Sequence, residues 1–231
     1  MNRASTNHAR TLAERRELLA RARLYFVCEA RPHGRDPEPL LRAALRGGAD
    51  IIQLREKAPR CAEELIAYSE PFRRAAAEHD ALFILNDRPD LVEACGADGV
   101  HVGQDDTPVA EARAQAGPDA LVGLSTHSEA QFDAALGARA DARPDQVSVG
   151  PVWETPTKAG RPATGLQLIR YAAARGGDAA WFAIGGIDAE NIDEVVAAGA
   201  RRAVVVRAIR DAEDPEAAAR VLRAALETAD G

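Results

Sequence analysis

The sequence predicts a single α/β domain, a (βα)8 barrel in which buried parallel strands alternate with helices, and three observations predict it. Short runs of Val, Ile, Leu and Phe recur along the chain, separated by longer Ala/Arg/Glu-rich stretches of helical character. The runs are continuously apolar rather than alternating, which suits parallel strands covered on both faces. Glycine stands just before several of them, in Gly48-Ala49-Asp50, Gly96-Ala97-Asp98 and Gly199-Ala200-Arg201. There it ends the preceding helix in a left-handed turn, and the chain doubles back into the next strand. The length, 231 residues, fits one such barrel. A doubly wound open sheet is the alternative, but eight strand–helix units close more naturally into a barrel.

In order, the predicted strands are 24–28, 51–54, 82–85, 99–102, 121–124, 146–149, 181–184 and 203–206. The barrel domain is residues 24–231. Residues 1–23 are a polar, Arg-rich extension carrying Leu12, Leu18 and Leu19. They read as a disordered start followed by a helix lying on the outside of the barrel.

Composition narrows the function. The formal net charge of −7 argues against a general polyanion binder, because non-specific nucleic-acid affinity needs a basic surface. Cys28, Cys61 and Cys95 are odd in number and widely spaced, so neither a disulfide framework nor a zinc knuckle is implied. No apolar run approaches the roughly 18 residues of a membrane span, and the N-terminus lacks an apolar h-region. A cytoplasmic protein acting on small molecules is expected, and a homo-oligomer stays open.

In a barrel, chemistry gathers where strands run out into βα loops. The second strand ends in Gln53-Leu54-Arg55-Glu56-Lys57, and alternation sends Gln53, Arg55 and Lys57 to one side. Two cations and an amide suit a diphosphate; a solvated loop paired to Glu56 would look the same. The third strand ends in Asn86-Asp87-Arg88, and the fourth in His101-Val102-Gly103-Gln104-Asp105-Asp106. Asp87 with either Asp105 or Asp106 forms a candidate Mg²⁺ site, since this ion takes one or two carboxylates plus substrate phosphate oxygens. Helix N-capping uses the same residues. After the fifth strand come Ser125, Thr126 and His127. Ser125 or Thr126 could donate to a substrate. His127 and His101 read either as proton carriers or as packing residues, and with no evident nucleophile as partner neither suggests a triad.

The sixth strand leads into a long loop, 150–160, with Thr155, Thr157 and Lys158, the composition of a flap over a phosphate. The seventh ends in Gly185-Gly186 and the eighth in Val206-Arg207. Barrel phosphate sites often use these two loops. The mouth thus offers two anion sites on opposite sides, with a divalent-metal site beside one of them.

This ordered set resembles thiamine-phosphate synthases: QLREK at 53–57, NDR at 86–88, DGVHVGQDD at 98–106, GPV at 150–152 with Thr155, Thr157 and Lys158, and IGGI at 184–187. The resemblance runs from about residue 24 to 226 and implies a TIM barrel. It implies that Gln53, Arg55, Lys57 and Asn86 bind the diphosphate of a hydroxymethylpyrimidine and that Asp87 and Asp106 hold Mg²⁺, with Asp105 outside the ligand set. Ser125 would touch pyrimidine and pyrophosphate. Thr155, Thr157, Lys158, Gly185, Gly186, Val206 and Arg207 would meet a thiazole phosphate, with Lys158 also near the pyrophosphate. The implied catalytic residues are Arg55, Lys57, Ser125 and Lys158. The implied reaction is a dissociative transfer with loss of pyrophosphate. Arg207 departs from a frequent serine, Glu154 and Pro156 alter the flap, and 139–145 reads as extra loop. The rival is a thiazole tautomerase of the same barrel family, which would not need the metal acids. A barrel that merely binds thiazole phosphate is a second, against which Arg55, Lys57 and Asp87 argue.

Overall fold

The structure is a computed structural model and describes residues 10–155 and 162–228. Eight parallel strands close into a barrel in chain order: β1 (Leu24–Cys28), β2 (Ile51–Leu54), β3 (Leu82–Asn86), β4 (Gly99–Val102), β5 (Leu121–Thr126), β6 (Gln146–Val149), β7 (Ala180–Ile184) and β8 (Ala203–Val205). β8 returns to pair with β1, so no edge is left open. The outer ring is α2 (Glu38–Arg46), α3 (Ala62–Glu78), α4 (Val92–Cys95), α5 (Val109–Ala116), α6 (Glu129–Gly137), α7 (Gly165–Arg175), α8 (Ile192–Ala197), α9 (Arg207–Arg210) and α10 (Pro215–Glu227). One helix, α1 (Leu12–Arg21), precedes the first strand.

Every predicted strand forms. β5 runs on through Ser125 and Thr126, where the Thr126 hydroxyl donates to the Ser148 carbonyl (3.1 Å) and so is satisfied inside the wall. β8 stops before Val206, whose backbone already turns into α9. The glycine stops hold as well. Gly96 closes α4 in the left-handed region at φ 63°, and its N–H bonds back to Val92 and Glu93.

Strand alternation splits the core in two. Phe26, Ile52, Phe83, Val100, Val122, Val147, Ala183 and Val205 face outward and pack with the helices. Tyr25, Val27, Ile51, Leu82, Ile84, Leu121, Phe182 and Val204 fill the lumen. Leu19 of α1 belongs to this inner cluster, so α1 does not lie on the outside of the barrel as the sequence suggested. It lies across the N-terminal end and forms its floor.

What holds α1 there is a ring of aspartates at the lower rim. Asp50, Asp98 and Asp145 each precede an even-numbered strand and accept backbone N–H groups from the odd strand before it. Asp50 takes Arg23 and Leu24 (2.7 and 3.0 Å), Asp98 takes Phe83 (3.0 Å), and Asp145 takes Val122 (2.9 Å). Their remaining charge draws arginines. Arg10 and Arg15 bind Asp98, and Arg16 binds Asp145 beside Arg113. Before β8 stands Arg202, which instead donates to the Ala20 and Ala22 carbonyls at the end of α1. No helix among the described residues is long and apolar enough to cross a membrane.

Candidate active site

At the opposite end, where the strands finish, a cavity of about 340 Å³ opens. Its walls are inward-facing strand ends, so barrel closure alone brings together residues from almost the whole chain.

Gln53 and Arg55 line it, but by different means. Gln53 is the upper inward residue of β2, buried, and its Nε2 donates to the Tyr25 hydroxyl (2.5 Å). Burial pushes that phenol well above its usual range. Arg55 lies past the strand end, tied by its N–H to the Cys28 carbonyl (2.9 Å). Burial pulls the Arg55 guanidinium down, while Asp87, Glu29 and Asp106 oppose this. Lys57 is exposed and does not line the cavity, because β2 ends at Leu54 and strand alternation does not reach it. It remains an electrostatic neighbour of Arg55; burial and then that charge lower it.

Asn86 ends β3 in the cavity wall, and its side chain donates to Asp87. Asp87 turns back at φ 59°, with its N–H on the His101 carbonyl (3.0 Å). Its carboxyl is raised to about 6, first by burial and then by the charge of Asp106, with which it shares a hydrogen bond. Asp106 accepts the Gly103 N–H (2.8 Å), and a Cβ on Gly103 would stand 2.6 Å from that carboxylate. Neither aspartate caps a helix. Asp105 is exposed and takes no part. No group of three or more His, Cys, Asp or Glu among the described residues could hold a metal. Asp87 and Asp106 are a pair of carboxylates, the number Mg²⁺ uses when a diphosphate completes its shell.

Ser125 and His127 line the cavity, as does Thr155. The His127 Nδ1–H donates to the Gly150 carbonyl (2.5 Å). His101 does have a serine partner, contrary to the sequence reading: its Nε2 lies 2.9 Å from Ser125 Oγ and its Nδ1 3.0 Å from Gln146 Oε1. Thr157 and Lys158 lie outside the described residues.

Across the mouth, β7 leads into Gly185 and Gly186, at φ 108° and 69°. A Cβ on Gly185 would fall 2.5 Å from Pro151, so only glycine lets the two loops close together. Val206 and Arg207 complete this side. In the ring β3 and β7 stand four strands apart, so Asp87 faces the glycine pair, as two sites on opposite sides require. Arg55 and Arg207 are closer neighbours than that picture implies, for they flank the end of β1. Glu29 follows that strand, bonded to Arg210 (2.5 Å). Neither the Arg55 nor the Arg207 guanidinium makes a hydrogen bond or ion pair to a described residue.

Tyr25, Ser148, Asp188 and Asp211 also line the cavity, and sequence reasoning missed them. A signal was present: His101, Ser125, Gln146 and Ser148 are polar residues inside otherwise apolar strands, and such residues mark the lumen face.

Comparison with known proteins agrees with this geometry. The family model for thiamine monophosphate synthase matches residues 24–209. The thiamine-phosphate synthase of Acidothermus cellulolyticus is 50% identical over 211 residues, covering 91% of this chain and 98% of the relative. That of Mycobacterium tuberculosis is 50% identical over 220 residues, covering 91% and 97%. The structure of thiamine phosphate pyrophosphorylase from Pyrococcus furiosus superposes with a TM-score of 0.80 at 31% identity, covering 93% of this chain and all of that one. With these matches spanning the barrel and every strand-end motif, the chain belongs to the thiamine monophosphate synthase family of transferases.

Proposed function

We propose that this chain joins 4-amino-2-methyl-5-hydroxymethylpyrimidine diphosphate to a thiazole ethyl phosphate, plain or carboxylated, forming thiamine phosphate and releasing pyrophosphate and, from the carboxylated thiazole, CO₂ as well. The observation that carries this reading is two guanidiniums in one cavity, Arg55 and Arg207, neither hydrogen-bonded to a described residue, with the Asp87–Asp106 pair beside the first. Cations at a cavity wall without hydrogen-bond partners among the described residues are poised for anions. Two such cations, one adjoining a carboxylate pair, suit two phosphorylated ligands of which one arrives with a divalent ion.

Asp87 and Asp106 would hold Mg²⁺. Bound there with the diphosphate, the ion supplies charge neutralisation for the leaving group. Arg55 grips the diphosphate in a planar fork, and Lys57 adds a compact charge from the rim. As the carbon–oxygen bond breaks, both meet the charge that gathers on pyrophosphate. Gln53 and Asn86 help hold the diphosphate, and Ser125 contacts the pyrimidine and the pyrophosphate. Gly185, Gly186, Val206 and Arg207 hold the thiazole phosphate, with Thr155, Thr157 and Lys158 on the neighbouring loop. The thiazole nitrogen then attacks the pyrimidinylmethyl cation. The protein contributes orientation and charge stabilisation, with no covalent enzyme intermediate.

The test is to mix both substrates with Mg²⁺ and assay thiamine phosphate and pyrophosphate. Equal yields of the two products that vanish on chelation are expected. Arg55→Ala should lower kcat by about a hundredfold, the usual loss for a group that stabilises developing charge, and Asp87→Ala should abolish the response to metal. Well-folded protein that makes no product but binds thiazole phosphate would rule the reading out.

A further inference from the structure

The turn that follows β7 is held from outside the cavity by one side chain. Asn191 folds back over residues 186–188: its Nδ2 donates to the Gly186 carbonyl (2.9 Å), and its Oδ1 accepts the Asp188 N–H (3.0 Å). These partners fix which end of the amide faces which, since a carbonyl only accepts and an N–H only donates. One peptide back, the Gly185 carbonyl accepts the Trp153 N–H (3.1 Å). Gly186, Ile187 and Asp188 line the cavity, whereas Asn191 and Trp153 do not.

Both peptides of the turn are trans, and in a trans peptide the C=O and N–H point in opposite directions. The two carbonyls are bonded to groups outside the cavity, so the N–H groups of Gly186 and Ile187 are directed the other way, toward it. Neither makes a hydrogen bond to a described residue. Successive main-chain N–H groups aimed at one place form a concavity for an anion. Glycine makes this arrangement possible and also precarious. Position 186 is left-handed at φ 69°, and a Cβ there would crowd that of Trp153 at 3.0 Å. Yet glycine rotates freely, and without a brace the Gly186–Ile187 peptide can turn over and present its oxygen to the cavity.

We propose that Asn191 is a positioning residue that holds the Gly186–Ile187 peptide in its donor sense, so that the Ile187 N–H meets the phosphate of a phosphomonoester. Asn191 itself does not touch that ligand. The orientation of the peptide stands on the hydrogen bonds above; the identity of the phosphomonoester as the thiazole substrate rests on the reading given under Proposed function.

The experiment follows the Ile187 amide proton by NMR. Gly–Ile occurs once in the chain, so labelling glycine with ¹³C and isoleucine with ¹⁵N singles out this amide. The protein is titrated with inorganic phosphate, with thiazole ethyl phosphate and, separately, with pyrophosphate plus Mg²⁺. In the unaltered protein the Ile187 amide proton moves downfield with either phosphate. Two variants separate the roles of the side chain. Asn191→Ala removes both bonds and adds no charge, while Asn191→Asp keeps the acceptor for the Asp188 N–H but has nothing to donate to Gly186. Both weaken thiazole ethyl phosphate about tenfold, the worth of one hydrogen bond, and leave pyrophosphate within about twofold of its original affinity. Weakening by alanine alone would assign the effect to the Asp188 bond, and weakening by aspartate alone to its charge; either overturns the proposal. So does an Ile187 amide that stays unmoved while thiazole ethyl phosphate binds, a measurement that needs no variant to fold. If inorganic phosphate moves that amide in the unaltered protein and not in the variants, but thiazole ethyl phosphate does not bind, the role of Asn191 stands and the substrate reading fails. Silence toward both phosphates overturns both.

Discussion

Asp87 joins two features that oppose its ionisation: partial desolvation of its carboxyl and a second carboxylate, Asp106, at hydrogen-bond range. Its backbone is also left-handed at φ 59°, a turn that Asp tolerates better than most residues and that aims the group toward Asp106. With its value raised from 3.8 to about 6, the folded protein keeps a proton that the unfolded chain has lost across that window. Stability contributed by this group therefore falls as pH rises from 3.8 to about 6, and a bound cation would restore it. A cation taken up by Asp87 would have to displace the same proton. Below pH 6 the apparent affinity for Mg²⁺ in the presence of pyrophosphate should weaken by up to about tenfold per pH unit and level off above it. Calorimetric titration at several pH values checks this, and a flat profile would separate Asp87 from the metal. Gly123 is the other residue whose identity is dictated by contact. Gly123→Ala should cost about 1–3 kcal/mol through overpacking against His101 and Gln146, read by urea unfolding.

At the level of elements, α1 is where sequence and structure part. The helix itself is legible: Thr11 and Glu14 form a capping box, and Leu12, Leu18 and Leu19 give it an apolar side. Its berth is not legible, because those leucines would suit any apolar surface and the barrel floor exists only after β8 has closed on β1. Nor do its partners announce themselves, since Asp80, Asp98, Asp119 and Asp145 lie tens of residues downstream. The strands were easier. Continuous apolar runs between glycine stops leave few alternatives, and the boundaries moved by only a residue or two. Seating Leu19 among lumen residues gives α1 a measurable role in stability. Leu19→Ala should destabilise the fold by about 2–4 kcal/mol, as for a buried leucine that leaves a cavity. KM for both substrates should stay within about twofold, because floor and mouth are at opposite ends. A large change in KM with unchanged stability would contradict that separation.

For the whole molecule, the question is how an acidic protein, with net charge −7, would hold the two phosphorylated substrates proposed for it. The acids are largely committed elsewhere. Glu38, Glu216 and Asp50 pair with arginines of α2, α3 and α10, and the rim aspartates with α1 and α5. The mouth keeps guanidiniums free. Strand-end polarity made most of this site readable from the sequence, because a barrel delivers strand ends to one face. Pairings across strands were not readable, since His101 and Ser125 are 24 residues apart and only the register of β4 against β5 makes them neighbours. Arg55 and Arg207 sit on either side of β1, separated by two inter-strand spacings, or roughly 10 Å. At that distance two anions of like charge would repel, and Glu29, with its companion Arg210, stands between them. Each cation should therefore serve its own ligand. Arg207→Ser should raise KM for the thiazole phosphate by about tenfold, one charge-assisted contact at an exposed site, while KM for the pyrimidine diphosphate stays unchanged. Steady-state kinetics with each substrate varied in turn distinguishes the cases. If both KM values rose together, the two guanidiniums would have to form one shared anion site rather than two.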